Sequence, residues 1–88
     1  MDINQVKVSN EWGVPNQFVI SINSMGTYFQ SYESIIAVKN PDGTFLDINK
    51  WDYSVTTGKY RNKFLGEDKK TTEKKIESGE YKLIDLNN

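Results

Sequence analysis

Apolar and polar positions alternate with period two through most of the first half of the chain. Gln17 to Asn23 puts Phe18, Ile20 and Ile22 on one side, and Thr27 to Tyr32 sets Tyr28, Gln30 and Tyr32 against Phe29. Successive side chains of an extended strand point to opposite faces, so both stretches predict strands, with Ser24-Met25-Gly26 as the hairpin turn between them. Ser34 to Lys39, rich in β-branched residues, predicts the next strand. Asn40-Pro41-Asp42-Gly43 then turns the chain, because proline presets φ at the second position and glycine accepts positive φ at the fourth. Thr44 to Ile48 returns as a further strand. Upstream, Ile3 to Val8 predicts one more, separated from Phe18 by a loop that contains Trp12, Gly13 and Pro15.

The pattern changes at Trp51. Ser54 can cap a helix that runs through Phe64 and Leu65 and stops at Gly66, with Tyr60 and Phe64 four apart on one face and Lys59 and Lys63 four apart on another. Gly58 inside it costs about 1 kcal/mol relative to alanine, which predicts either close packing there or a later helix start. Thr71 or Thr72 is the expected cap of a second helix, with Glu73 in its first turn and Gly79 as its stop. Glu80 to Leu86 alternates again and predicts a strand that rejoins the sheet. The expected fold is α+β: an antiparallel meander of four or five strands, two short helices against one face, and a C-terminal strand. Residues 1–88 are expected to form one domain, since two cores at this length would each be too thin.

Composition narrows the chemistry. The chain has no cysteine and no histidine, which removes disulfides, thiol nucleophiles, thiolate or imidazole metal sites and every triad with an imidazole base. No cofactor-binding pattern is present, and an enzyme is not expected. The longest apolar run is Ile35-Ile36-Ala37-Val38, far short of a membrane span, and Met1-Asp2 opens no export signal, so the expectation is a cytoplasmic protein. The formal net charge of −1 hides an asymmetry. Residues 1–49 carry two bases against five acids, while residues 50–88 carry nine bases against seven acids.

Three constellations merit weighing. Asp42, Asp47 and Asp52 are five apart, but a five-residue step in a strand changes face, and Trp51 and Asp52 fall where a calcium loop needs a ligand and a glycine. A metal site is rejected. Residues 59–75 hold seven bases against three acids. Lys59, Arg61 and Lys63 flanking Tyr60 are therefore the candidate contacts if the chain binds nucleic acid, although a solvated helix face reads the same way. Trp12, Trp51, Tyr28, Tyr32 and Tyr53 are more aromatic surface than so small a core hides easily. Trp51 is expected in the core at the corner between sheet and helix. Trp12, with Glu11 beside it and Glu33 in support, is the expected exposed anchor for a protein partner.

Tyr28-Phe29-Gln30-Ser31-Tyr32, Ser34-Ile35-Ile36-Ala37, Leu46-Asp47, Trp51-Asp52-Tyr53-Ser54 with Thr56-Thr57, Lys59-Tyr60-Arg61-Asn62 and Phe64-Leu65-Gly66-Glu67 together resemble a family of small proteins carried by phages, prophages and plasmids of Gram-positive bacteria. The resemblance covers residues 27 to 86. The family has no established activity, so it assigns no catalytic or ligand role to any residue here; what it implies is a mobile-element context. In that context the expected function is binding and inhibition of a host protein, a defence component met by an anti-CRISPR-type or similar inhibitor. The acidic first half suits a basic nuclease or nucleic-acid-handling enzyme as that partner. The alternative is a nucleic-acid-binding accessory protein of phage replication or regulation.

Overall fold

The computed structural model describes residues 6–10 and 12–87. Five strands, β1 (Val6–Ser9), β2 (Gln17–Ile22), β3 (Gly26–Ser31), β4 (Ser34–Asn40) and β5 (Gly43–Asp47), are followed by helices α1 (Val55–Leu65) and α2 (Lys69–Ser78) and by strand β6 (Tyr81–Ile84). They form one six-stranded sheet in sequence order. The first five strands pair antiparallel as neighbours, and β6 pairs parallel with β5. The fold is α+β, a meander followed by two short helices and a closing strand. Ile3 to Gln5, included in the expected first strand, lie outside the described residues.

Register explains the core. Ser9, Val19, Phe29, Ala37, Leu46 and Leu83 stand opposite one another across the six strands and so share one face. Tyr60 and Phe64 of α1 join Val19, Phe29, Ala37, Leu46 and Tyr81 in one apolar cluster, with Phe64 stacked on Phe29 at a centroid distance of 5.7 Å. A bulge helps fill it. Phe29 faces Ala37 but Gln30 faces Ile35, so Ile36 is the extra residue on β4, and both Ile36 and Ala37 are fully buried. Two residues on the bulged strand oppose one on its partner, which lets adjacent side chains serve the same layer.

The helix ends follow their local chemistry. The Ser54 hydroxyl accepts from Thr57 N–H, and Gly66 closes α1 in the left-handed region at φ 72° with its N–H on Asn62 O. Lys39 crosses from β4 to donate to the Phe64 carbonyl at 2.7 Å and lies over the Phe64 ring. The expected cap of α2 needs correction. Asp68 caps it, accepting from Thr71 N–H, so the helix begins at Lys69 and Glu73 falls outside its first turn. Thr72 is instead buried, donating its hydroxyl to Glu67. Glu67 also accepts from Lys75 at 2.7 Å and from the Tyr81 hydroxyl at 3.0 Å, which fastens α2 to β6. Beyond β6, Asp47 accepts from Leu86 N–H, while the Asn87 amide both accepts from Ile35 N–H and donates to its carbonyl, as a paired strand residue would.

Among the described residues no helix is long and apolar enough to cross a membrane.

Candidate functional site

The chain leaves β5 through 48–54, and this segment sets the most chemically varied part of the surface. Trp51 is half-buried against the core, and the Arg61 guanidinium stacks over its indole. Arg61 is 1% exposed and donates to the Trp51 carbonyl at 2.8 Å, to Asp52 at 3.0 Å and to the Asn62 side chain at 2.8 Å. Asp52 bridges outward to Lys69 at 2.6 Å, joining the start of α2 to the same network. Partial burial works against the Asp52 charge, but the hydrogen bonds from Lys69 and Arg61 outweigh it and hold its carboxyl below the usual range. Asp52 is therefore a fixed anion that satisfies a buried cation, unsuited to donating a proton at neutral pH.

Gly58 lies over this network. A Cβ there would stand 3.6–3.7 Å from the Arg61 guanidinium nitrogens, ordinary van der Waals contact. Neither expectation for Gly58 holds: α1 begins directly after Ser54, and the space beside Gly58 would accept a methyl group, so the glycine is not imposed by close packing.

Tyr53 forms a ridge between two open clefts. One, of about 310 Å³, is lined by Asn16, Tyr32, Glu33, Ser34, Lys50 and Tyr53. The other, of about 650 Å³, has Asp52, Gly58, Lys59 and Lys69 in its walls. Tyr32 and Tyr53 are each 45% exposed, and Val55 at the start of α1 is more exposed still. Tyr32 occupies the β3–β4 turn at φ 56°, a region that costs a bulky side chain roughly 1–3 kcal/mol. Its N–H donates to Asn16 O at 2.7 Å and its carbonyl accepts from Gln30 at 2.8 Å, so the surroundings hold the ring out at that cost. Lys50 lies over the Tyr53 ring at 5.0 Å. Two presented aromatic rings with Glu33, Lys50, Lys59 and Lys69 near them can make contacts; they include no nucleophile paired with a base.

The expected site residues separate. Trp12 is half-buried rather than exposed: its ring meets Phe29 edge-on at 5.7 Å and Tyr60 at 5.4 Å, closing the core beside α1. The cause is the covered face itself, which leaves Phe29 and Tyr60 open to the β1–β2 loop. Glu11 lies outside the described residues. Glu33 is exposed, in the Tyr32 turn. Lys59 and Lys63 are exposed on α1, but Arg61 is turned inward and spent on Trp51, Asp52 and Asn62, so the three do not form one phosphate-contacting row. Tyr32 and Tyr53 were only members of an aromatic surplus in the sequence; the signal for Tyr32 was its place between Ser31 and Glu33, at a strand end where a two-residue turn must fall. Among the described residues no group of three or more acids is placed to hold a metal.

The parts described make a small α+β domain whose most chemically varied surface offers aromatic and charged contacts on a fixed scaffold. The segment from Trp51 to Glu67 is spent largely on the fold: a stacked tryptophan, two caps, the ion pair of buried Arg61 with Asp52 and the Glu67 fastening. The chain belongs to the family of unknown function DUF8033, whose model matches residues 1–80. No curated protein and no solved structure matches it.

Proposed function

We propose that this chain is a non-enzymatic protein of a phage or other mobile element that binds and inhibits a host protein, a defence component in the manner of anti-CRISPR-type inhibitors. The observation that carries the binding reading is the Tyr53 ridge with Tyr32 held beside it in a costly backbone conformation. Tyrosines fixed before contact supply large area at little ordering cost, which is what interface anchors require. The mobile-element context rests on the resemblance of residues 27 to 86. Lys50 and Lys59 around the ridge favour an acidic patch on the partner, with Lys69 paired to Asp52 and Glu33 as the local exception, so the ridge suits a nucleic-acid-handling enzyme approached at an acidic site better than at a basic one.

Capture from nuclease-treated host lysate tests this. A host protein retained by the wild type and lost with Tyr53→Ala at an unchanged melting temperature supports the reading. Trp12→Ala should instead lower the melting temperature while the folded fraction still captures. Capture that survives Tyr53→Ala overturns the ridge as the binding surface, and capture seen in untreated lysate but lost on nuclease treatment overturns the reading in favour of the nucleic-acid alternative.

A further inference from the structure

Among the described residues, the face of the sheet turned away from the helices is largely apolar and uncovered. Val8, Ile20, Tyr28, Val38, Phe45 and Lys82 stand opposite one another across all six strands, on the reverse side from Phe29 and Leu46. Val6 and Ile22 form a flanking pair in the next row. Among the described residues no element covers this face: the helices meet the sheet through the Phe29 side. Val8 is 64% exposed and Ile84, two residues along β6 from Lys82, is 41% exposed. Val38, between Tyr28 and Phe45 in the middle of the row, is 3% exposed. The only charge in the central row is Lys82, at the β6 edge.

We propose that this face binds a second copy of the chain, giving a two-fold dimer in which two sheets stack into a four-layer helix–sheet–sheet–helix body. Area supports that occupant. Six strands about 4.8 Å apart and about five residues long at about 3.3 Å per residue span about 29 × 17 Å, so two such faces enclose about 1,000 Å² before side-chain relief is counted. That reaches the lower bound for a specific interface of about 1,000–1,200 Å². Composition supports it too. A face whose centre is free of charge matches the apolar interiors of same-chain interfaces, and aligned sheets pack about 10 Å apart with interdigitating side chains. Lys82 fixes the orientation. With the two-fold axis along the strands, β1 of one copy lies over β6 of its partner, and the Lys82 stem covers Val8 with its ammonium at the rim. An axis across the strands would set Lys82 against Lys82. This surface is separate from the Tyr53 ridge, so the dimer and the host-binding reading stand or fall independently.

Sedimentation velocity over a concentration series decides it. The wild type is expected to pass from one chain mass to two. Val8→Lys, on an exposed edge position that folding tolerates, should weaken dimerisation at least tenfold, about 1.4 kcal/mol. Tyr28→Lys in the centre should abolish it, and circular dichroism checks that the chain remains folded. Should Tyr28→Lys unfold, Val8→Lys alone decides. Val55→Lys, exposed on the start of α1, should leave assembly unchanged. A wild type that stays monomeric throughout, or a folded Val8→Lys that dimerises as the wild type does, overturns the proposal.

Discussion

The two faces of the sheet draw on the same strands, yet one holds Phe29, Ala37 and Leu46 with no exposure while the other leaves Val8 64% exposed and Ile20, Tyr28 and Phe45 half-buried. Both faces carry apolar side chains, because β2 holds Phe18-Val19-Ile20 and β4 holds Ile35-Ile36-Ala37-Val38 at consecutive rather than alternate positions. Strands of that kind are expected where a sheet is covered on both sides. Two helices of 11 and 10 residues supply one cover. An apolar strand is therefore not by itself evidence of a buried one; the number of elements available to cover it decides.

The largest expected contrast is between the faces themselves. Phe29→Ala removes a fully buried ring and should cost about 4 kcal/mol, whereas Phe45→Ala on the uncovered face should cost about 1 kcal/mol when measured by urea denaturation at a concentration where the chain is monomeric. Equal losses would mean that the second face is covered in the monomer as well. Next comes the margin of the covered side. Arg61→Ala empties a buried ion-pair position and should cost about 2 kcal/mol, less than for a fully buried pair because Asp52 is partly exposed and keeps Lys69. Lys63→Ala, exposed two residues away, should change stability by less than about 0.5 kcal/mol.

Glu67 gives a smaller effect, visible through pH. Burial opposes its charge, but hydrogen bonds from Lys75, Thr72 and Tyr81 prevail and hold its pKa below the ordinary carboxylate value. A carboxyl lowered on folding contributes stability that is present above its unfolded pKa and lost as pH falls through the folded one. The melting temperature should therefore drop on acidification below the ordinary carboxylate range, and Glu67→Gln should drop less over that interval while starting lower at neutral pH. An identical acid slope in the variant would remove Glu67 from the fastening between α2 and β6. The smallest change is a gain. Gly58→Ala keeps helical backbone and meets its neighbours at ordinary contact distance, so it should stabilise by about 0.5–1 kcal/mol in the same denaturation assay.

What could be read in the chain was local. The turn at Asn40–Gly43, the Ser54 cap and the Gly66 stop are decided by residues within a few positions of one another and stand where the sequence places them, while the β2–β3 turn falls one residue earlier than expected, at 23–25. Asp68 is the stronger cap by type, but Thr71 and Thr72, three and four residues later, compete with it in the sequence until the contact of Thr72 with Glu67 takes one of them out. Arg61 looked like one member of a basic row, since the partners that draw it inward, Trp51 and Asp52, lie a full loop and two helical turns upstream. Trp12 was misplaced for a related reason: whether a loop aromatic stays out depends on what the distant α1 leaves open.

The parallel pairing of β6 with β5 also has a kinetic side. β3, β4 and β5 each close on their predecessor through a turn of two or three residues, and β2 on β1 through the loop 10–16, all at small entropic cost. β6 reaches β5 only after the whole stretch from Ile48 to Glu80 has been laid down, and Asn87 then meets Ile35 across 52 positions. Contacts that far apart form late, because their closure is unrewarded until the intervening helices have docked. The meander is thus a ribbon that can zip from any of its turns, and β6 is the clasp that shuts afterwards and is the first to let go.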